Sequence, residues 1–212
     1  MEKSFPSGFL VEESAVGGQL TRLGLAHQAG FQNLALDATV AGRRPRELDE
    51  GARSDLRRTV CHQGLTVLAI SLRIPQEHFV REDTMDRASM AALQAIGFAE
   101  SLRANFVVLP AIAGETAELV FQEAERRGRR LLIDSGVGAT GLVEVIGQEC
   151  PEEVGGFRLV QESSRALQLP FAVYAGLRSD HGFPIFVDGK DGLASAVDRA
   201  RQFASLLPEF VG

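Results

Sequence analysis

Cysteine is nearly missing from this chain: Cys61 and Cys150 are the only two in 212 residues. Two cysteines cannot build a secreted disulfide framework, and their spacing matches no metal-binding pattern. Long apolar runs are missing too. None approaches the roughly 20 residues that cross a bilayer, so no membrane partner is expected. Basic excess is absent: 28 acidic against 22 basic side chains leave a net charge of −6, the opposite of a nucleic-acid footprint. The opening Met1-Glu2-Lys3-Ser4-Phe5-Pro6 lacks the charged-then-apolar order of a signal peptide, and a cytoplasmic location is expected. No His-x-His, His-Glu-x-x-His or Gly-x-Ser-x-Gly pattern occurs, so nucleophilic hydrolase chemistry has no support. What is there is 45% apolar and 24% charged, the balance of a chain that buries a core under a wetted surface.

The dominant pattern is a repeated phrase of helical periodicity, a stop residue and a short apolar run. Stops fall at Gly30, Gly64, Asn105, Gly128 and Gly156, residue types that accept the left-handed conformation closing a helix. Strand-like runs follow at Leu34–Asp37, Thr66–Ile70, Phe106–Leu109, Leu131–Asp134 and Phe157–Val160, with a further one at Phe171–Ala175. One strand plus a crossover helix needs about 30 residues, and the stops are spaced accordingly. The repeat is βα. Helical stripes lie between: Ala52, Leu56 and Val60; Ala88, Ala92, Ala95, Ala99 and Leu102; Ala117, Val120, Phe121 and Ala124; and Leu193, Val197, Ala200, Ala204 and Leu207. Asp83 or Thr84 and Thr116 read as helix starts. The cluster Arg126, Arg127, Arg129 and Arg130 reads as a basic helix end facing solvent. Runs apolar on both faces indicate a buried parallel sheet, either a closed βα barrel or an open doubly wound sheet. Eight barrel units typically take about 250 residues, so a barrel here is abbreviated to six or seven strands. Phe9-Leu10-Val11 is at most a weak strand, which makes residues 1–20 an N-terminal arm and residues 21–212 the single domain.

Candidate chemistry gathers after the strands, where parallel sheets keep their sites. Asp37, Asp134 and Glu162 sit at strand ends, able to share a polar site or merely to cap helices and pair with arginines. His78 follows a strand; His181 in Arg178-Ser179-Asp180-His181-Gly182 is the best-placed proton carrier, whereas His27 and His62 lie in helical stretches. Arg44, within Arg43-Arg44-Pro45-Arg46, is a candidate for an anionic group or an exposed lead-in to the next helix. Ser135-Gly136-Val137-Gly138-Ala139-Thr140-Gly141 contains Gly-x-Gly-x-x-Gly, with Glu162 lying 21 residues beyond Gly141. That is the skeleton of a dinucleotide loop, although it follows several strands instead of opening the fold.

The phrases Ala29-Gly30-Phe31-Gln32-Asn33-Leu34-Ala35-Leu36-Asp37, Arg44-Pro45-Arg46-Glu47-Leu48 and Gly64-Leu65-Thr66-Val67-Leu68-Ala69, with the alanine-striped helix into Phe106-Val107-Val108-Leu109-Pro110, carry a resemblance. From Leu23 to Leu109 the chain resembles the xylose-isomerase-like TIM barrel superfamily, sugar phosphate isomerase/epimerase branch. The resemblance implies a βα barrel and a divalent metal (Mg, Mn or Zn) held by carboxylates and histidines at later strand ends, acting as a Lewis acid on a sugar carbonyl. Carried over residue by residue, the fifth-strand glutamate falls at Asp134 and the sixth-strand aspartate near Gln161, with Glu162 adjacent. The seventh-strand histidines fall at Ala172 and Tyr174, and the closing-strand glutamate has no counterpart. The expectation is a kept fold with a broken metal site, Asp134 being its only remnant, and no cofactor. Such a barrel would bind only a protein partner, or a small polar or sugar-like ligand through Asp37, Arg44, His78, Tyr174 and Arg178, with His181 and Glu162 as catalytic candidates if chemistry survives. Two alternatives stay open: an active metal-dependent isomerase or epimerase using Asp134, Glu162 and His181, and a dinucleotide-dependent enzyme using Gly136–Gly141. An abbreviated barrel leaves apolar surface or strand edges uncovered, so a homodimer is expected.

Overall fold

The computed structural model describes residues 9–134, 157–159, 185–187, 192–198 and 200–201. Among the described residues seven parallel strands form one sheet: β1 (Phe9–Glu12), β2 (Asn33–Asp37), β3 (Thr66–Ser71), β4 (Phe106–Pro110), β5 (Arg130–Asp134), β6 (Phe157–Leu159) and β7 (Ile185–Val187). Their order is β5-β4-β3-β2-β1-β7-β6, and each described pairing is parallel. Helices α1 (Leu23–Gln28), α2 (Glu50–His62), α3 (Met85–Leu102) and α4 (Gly114–Arg126) make the crossovers between β1 and β5. Residues 193–198 are helical as well. Among the described residues no helix is long and apolar enough to cross a membrane.

Strand alternation divides the core into two layers. Leu10, Ala35, Ala69, Phe106, Val108 and Leu132 form the smaller cluster, on the sheet face opposite the helices. The larger one lies between sheet and helices, where Leu34, Leu36, Ile70, Val107 and Leu109 meet Leu56, Val60, Ala92, Ala95, Ala99 and Val120. The alanine stripe of α3 is buried along its length, and small side chains let that helix lie close to the strands. A register shift where β2 meets β3, with Leu34 opposite Val67 and Ala35 opposite Ala69, leaves Leu68 as an extra residue on β3.

The start of the chain corrects the expectation of an arm over residues 1–20. β1 lies inside the sheet, hydrogen-bonded to β2 on one side and β7 on the other, and Leu10 and Val11 are buried. Two acids directly after a very short apolar run hid it. β7 was not anticipated at all. Helix boundaries also move. The left-handed stop of α3 is Arg103 (φ 59°) instead of Asn105, because the Asn105 N–H already bonds Leu68 of the neighbouring strand. Thr116 lies inside α4, which starts at Gly114. Gly30, Gly64 and Gly128 are left-handed as expected. Gly64 is doubly constrained, since a Cβ there would also sit 2.8 Å from the His27 ring.

The basic cluster after α4 is held in place. Arg126 and Arg127 both bond Glu123, keeping its carboxyl down at about 2, and Arg127 also pairs with Glu100. Arg129 donates to the carbonyls of Arg127 and Ala104, and Arg130 lies over the Phe106 ring. The expected run at Phe171–Ala175 and the stop at Gly156 lie outside the described residues.

Candidate functional site

The apolar inner face turns polar over one strand step. On β1 the residue after Leu10 on that face is Glu12; on β2 Asp37 follows Ala35; on β3 Ser71 follows Ala69. All lie at the carboxyl ends of their strands, and together with Glu13, Ser14, Gly17, Gly18 and Arg73 they line a cavity of about 230 Å³. The charged residues of its wall are ion-paired. Arg73 donates to Glu12 across the mouth and lies 3.8 Å from Asp37. Arg43 reaches in from the loop after β2, its Nη2 donating to Glu13 Oε1 at 2.9 Å and to the Gly18 carbonyl at 3.1 Å. Its Nη1 lies 2.9 Å from Glu13 Oε2, in an ion pair too bent for a hydrogen bond. Asp37 Oδ1 accepts from the Thr39 backbone N–H at 2.8 Å and from the Thr39 hydroxyl at 2.6 Å, an Asx turn that fixes the carboxylate at the strand end.

Burial sets the electrostatics. Glu12 and Glu13 are 2% and 4% exposed. Loss of water pushes the Glu13 carboxyl up to about 7, and the neighbouring Asp37 charge adds to this; Arg43, the Asp37 N–H and Arg73 oppose it without prevailing. Among the described residues three carboxyls thus face two guanidiniums, with one carboxyl half-protonated near neutral pH, so their charges nearly balance. Two buried hydroxyls complete the wall. Ser71 Oγ and Ser14 Oγ find no hydrogen-bond partner among the described residues, and both residues border the cavity.

A second, larger cavity of about 590 Å³ opens beside the first, between the loops after β2 and β3 and the first turns of α3; Arg73 belongs to both walls. His78 and Arg44 line this second cavity, whereas Asp37 lines the first. The Arg44 guanidinium is already engaged by the Thr39 carbonyl and by Glu47. His27 and His62 are exposed helix residues, far from this role. Tyr174, Arg178, His181, Glu162 and the Gly136–Gly141 loop lie outside the described residues, as does the side chain of Asp134, which ends β5 opposite Pro110. Glu12, Glu13, Ser71 and Arg73 were missed. A Glu-Glu pair closing an apolar run was a readable signal, whereas the Arg73–Glu12 pairing joins residues 61 positions apart.

A divalent cation, which the resemblance implies, wants several free oxygen donors held together. The described carboxylates do not fit that demand: Glu12 and Glu13 each meet a guanidinium and Asp37 holds its own turn. Among the described residues no three His, Cys, Asp or Glu side chains gather as a ligand set.

No protein-family model matches the chain, and no curated protein matches it in sequence. Solved structures do match in shape. The D-psicose 3-epimerase of Clostridium cellulolyticum, solved with D-tagatose, superposes with a TM-score of 0.59 at 11% identity, over 96% of this chain and 99% of that one. A 3-keto-D-glucoside 4-epimerase from E. coli gives 0.63 at 11%, over 94% and 99%. A xylose isomerase domain protein from Alicyclobacillus acidocaldarius gives 0.59 at 14%, over 96% and 99%. Identities this low speak to architecture and not to activity. The described parallel strands, helical crossovers and polar mouth, with these matches, therefore give this chain the fold of the xylose-isomerase-like βα barrels.

Proposed function

We propose that the protein binds a small, neutral, hydroxyl-rich ligand of the sugar class at the mouth of β1, β2 and β3, without a resident metal ion there. The observation that carries this reading is the pair of buried hydroxyls, Ser71 and Ser14, without a partner among the described residues, in the wall of a cavity whose charged lining residues are ion-paired. A buried hydroxyl without a partner costs about 1–3 kcal/mol, a cost that a ligand hydroxyl would relieve. The nearly balanced charge around it favours a neutral guest over an anion or a cation. At about 230 Å³ the cavity falls below the roughly 300–1,000 Å³ of drug-sized sites, which fits a single small ligand. Sugar epimerases with this fold agree with the ligand class. The isomerase or epimerase alternative requires Asp134, Glu162 and His181 to hold a metal; the dinucleotide alternative rests on a loop after the fifth strand of a barrel.

Ser71→Ala tests the reading, because it removes only the hydroxyl. The variant is expected to be more stable than the parent by about 1 kcal/mol, through loss of an unsatisfied buried group. It is also expected to bind neutral sugars about three- to tenfold more weakly, one hydrogen bond being worth about 0.5–1.5 kcal/mol. Urea unfolding and calorimetric titration with a panel of neutral ketoses and aldoses read the two quantities. A second test is elemental. Protein purified without chelator is expected to carry Mg, Mn and Zn well below one per chain, and Asp134→Asn to leave that content unchanged. A stoichiometric ion lost in Asp134→Asn would instead establish the metal-dependent alternative.

A further inference from the structure

We infer that the larger cavity is a separate site for an acidic group carried on an apolar body, such as an aromatic or acyl carboxylate. Its floor is apolar: Leu72, Ile74, Pro75, Ala88 and Ala91 line it, and Met90, 54% exposed, stands at its edge. Its rim is cationic. Arg44 is balanced by Glu47, and Arg73 by Glu12 and Asp37. Arg46 and Arg87, by contrast, make no ion pair or hydrogen bond among the described residues, although both border the cavity. His78 adds a further donor, and Asp86 is the sole carboxylate among the described lining residues. Among the described residues two uncommitted guanidiniums against one acid leave a positive surplus over an apolar surface. That combination selects a carboxylate or similar anion with hydrocarbon attached, since guanidinium forks match carboxylate geometry. A volume of about 590 Å³ lies inside the usual range for a small-molecule site.

The contrast with the first cavity is one of charge: among the described residues the inner mouth is close to neutral and the outer one positive. Arg73 stands in both walls, so one molecule with a hydroxyl-rich head and an acidic tail can occupy both. This tail role rests on the function proposed above; the acid site itself does not.

Benzoate and benzyl alcohol, equal in size and differing in charge, separate the contributions, with inorganic phosphate as the anion lacking an apolar body. In NMR titrations of the full chain, benzoate is expected to bind at least tenfold more tightly than either. Its perturbations should centre on His78 and on the loops after β2 and β3. The double variant Arg46→Ala/Arg87→Ala, altering two exposed side chains, should reduce benzoate to the level of the alcohol. Ser71→Ala should leave benzoate binding unchanged, however neutral sugars behave toward that variant. Equal binding of acid and alcohol, or a preference for acid that survives the double variant, overturns the inference. Phosphate binding as tightly as benzoate overturns the amphiphilic part of it. Because benzoate has no hydroxyl-rich head, these results are read independently of the inner cavity.

Discussion

Arg73→Met is expected to destabilise the protein by about 2–3 kcal/mol at pH 7, measured by urea unfolding. Removing one member of a buried ion pair costs roughly 3–5 kcal/mol, chiefly because the remaining charge is left in a medium that solvates it poorly. Glu12 is that remaining charge, at 2% exposure. The expected figure is set lower because the Arg73 side chain keeps a third of its surface in water, where screening weakens the pair. Methionine retains most of the aliphatic length, so the loss reports charge more than packing. Adding Glu12→Gln to Arg73→Met should recover most of the stability, since the stranded carboxylate is then gone. A loss confined to a few tenths of a kcal/mol would mean that water reaches Glu12 freely and that the mouth is no desolvated pair.

The second large effect is a dependence on pH that Glu13 imposes. Its carboxyl ionises at about 7 in the folded protein against 4.5 for an ordinary glutamate. A raised folded value means that the native state holds the proton more tightly than the unfolded chain. The associated stabilisation is complete below about pH 4.5 and is lost as pH rises through about 7. At 1.36 kcal/mol per unit, the difference amounts to about 3 kcal/mol. Glu13→Gln cannot ionise. The stability of the parent relative to this variant should therefore fall by about 3 kcal/mol between pH 4.5 and pH 8, and stay level below pH 4.5. Arg43→Ala removes the cation that opposes the shift, which should move the fall to higher pH. A difference that stays flat between pH 4.5 and pH 8 would show that Glu13 is ionised throughout that range and well hydrated.

The parts legible in the sequence were those governed by local periodicity. α3 announces itself through Ala88, Ala92, Ala95 and Ala99, all buried, because a stripe repeating at helical spacing needs no knowledge of the partner surface. β4 and β5 are legible for a similar reason, each an uninterrupted apolar run after a helix stop. β1 is not. Its four residues end in a glutamate, and acids after so short a run look like solvated chain; only the neighbouring strands explain why acids stand there, at the carboxyl end of a parallel sheet. β7, three residues long, is shorter than periodicity can register. Asp37 was legible as a strand-end carboxylate; the structure places it at the head of an Asx turn, in the wall of the inner cavity and near Arg73. The Arg73–Glu12 and Arg43–Glu13 pairs depend on how β1, β2 and β3 are arranged side by side, which is a property of the fold and of no single segment.

What this account stands on is a mouth in which Ser71 trades stability for recognition, and paired unfolding and calorimetric titration of parent and Ser71→Ala test it most directly. The account predicts a variant that unfolds at higher urea concentration and holds a neutral sugar less tightly. A variant that is less stable than the parent, or that binds the sugar equally well, would contradict it.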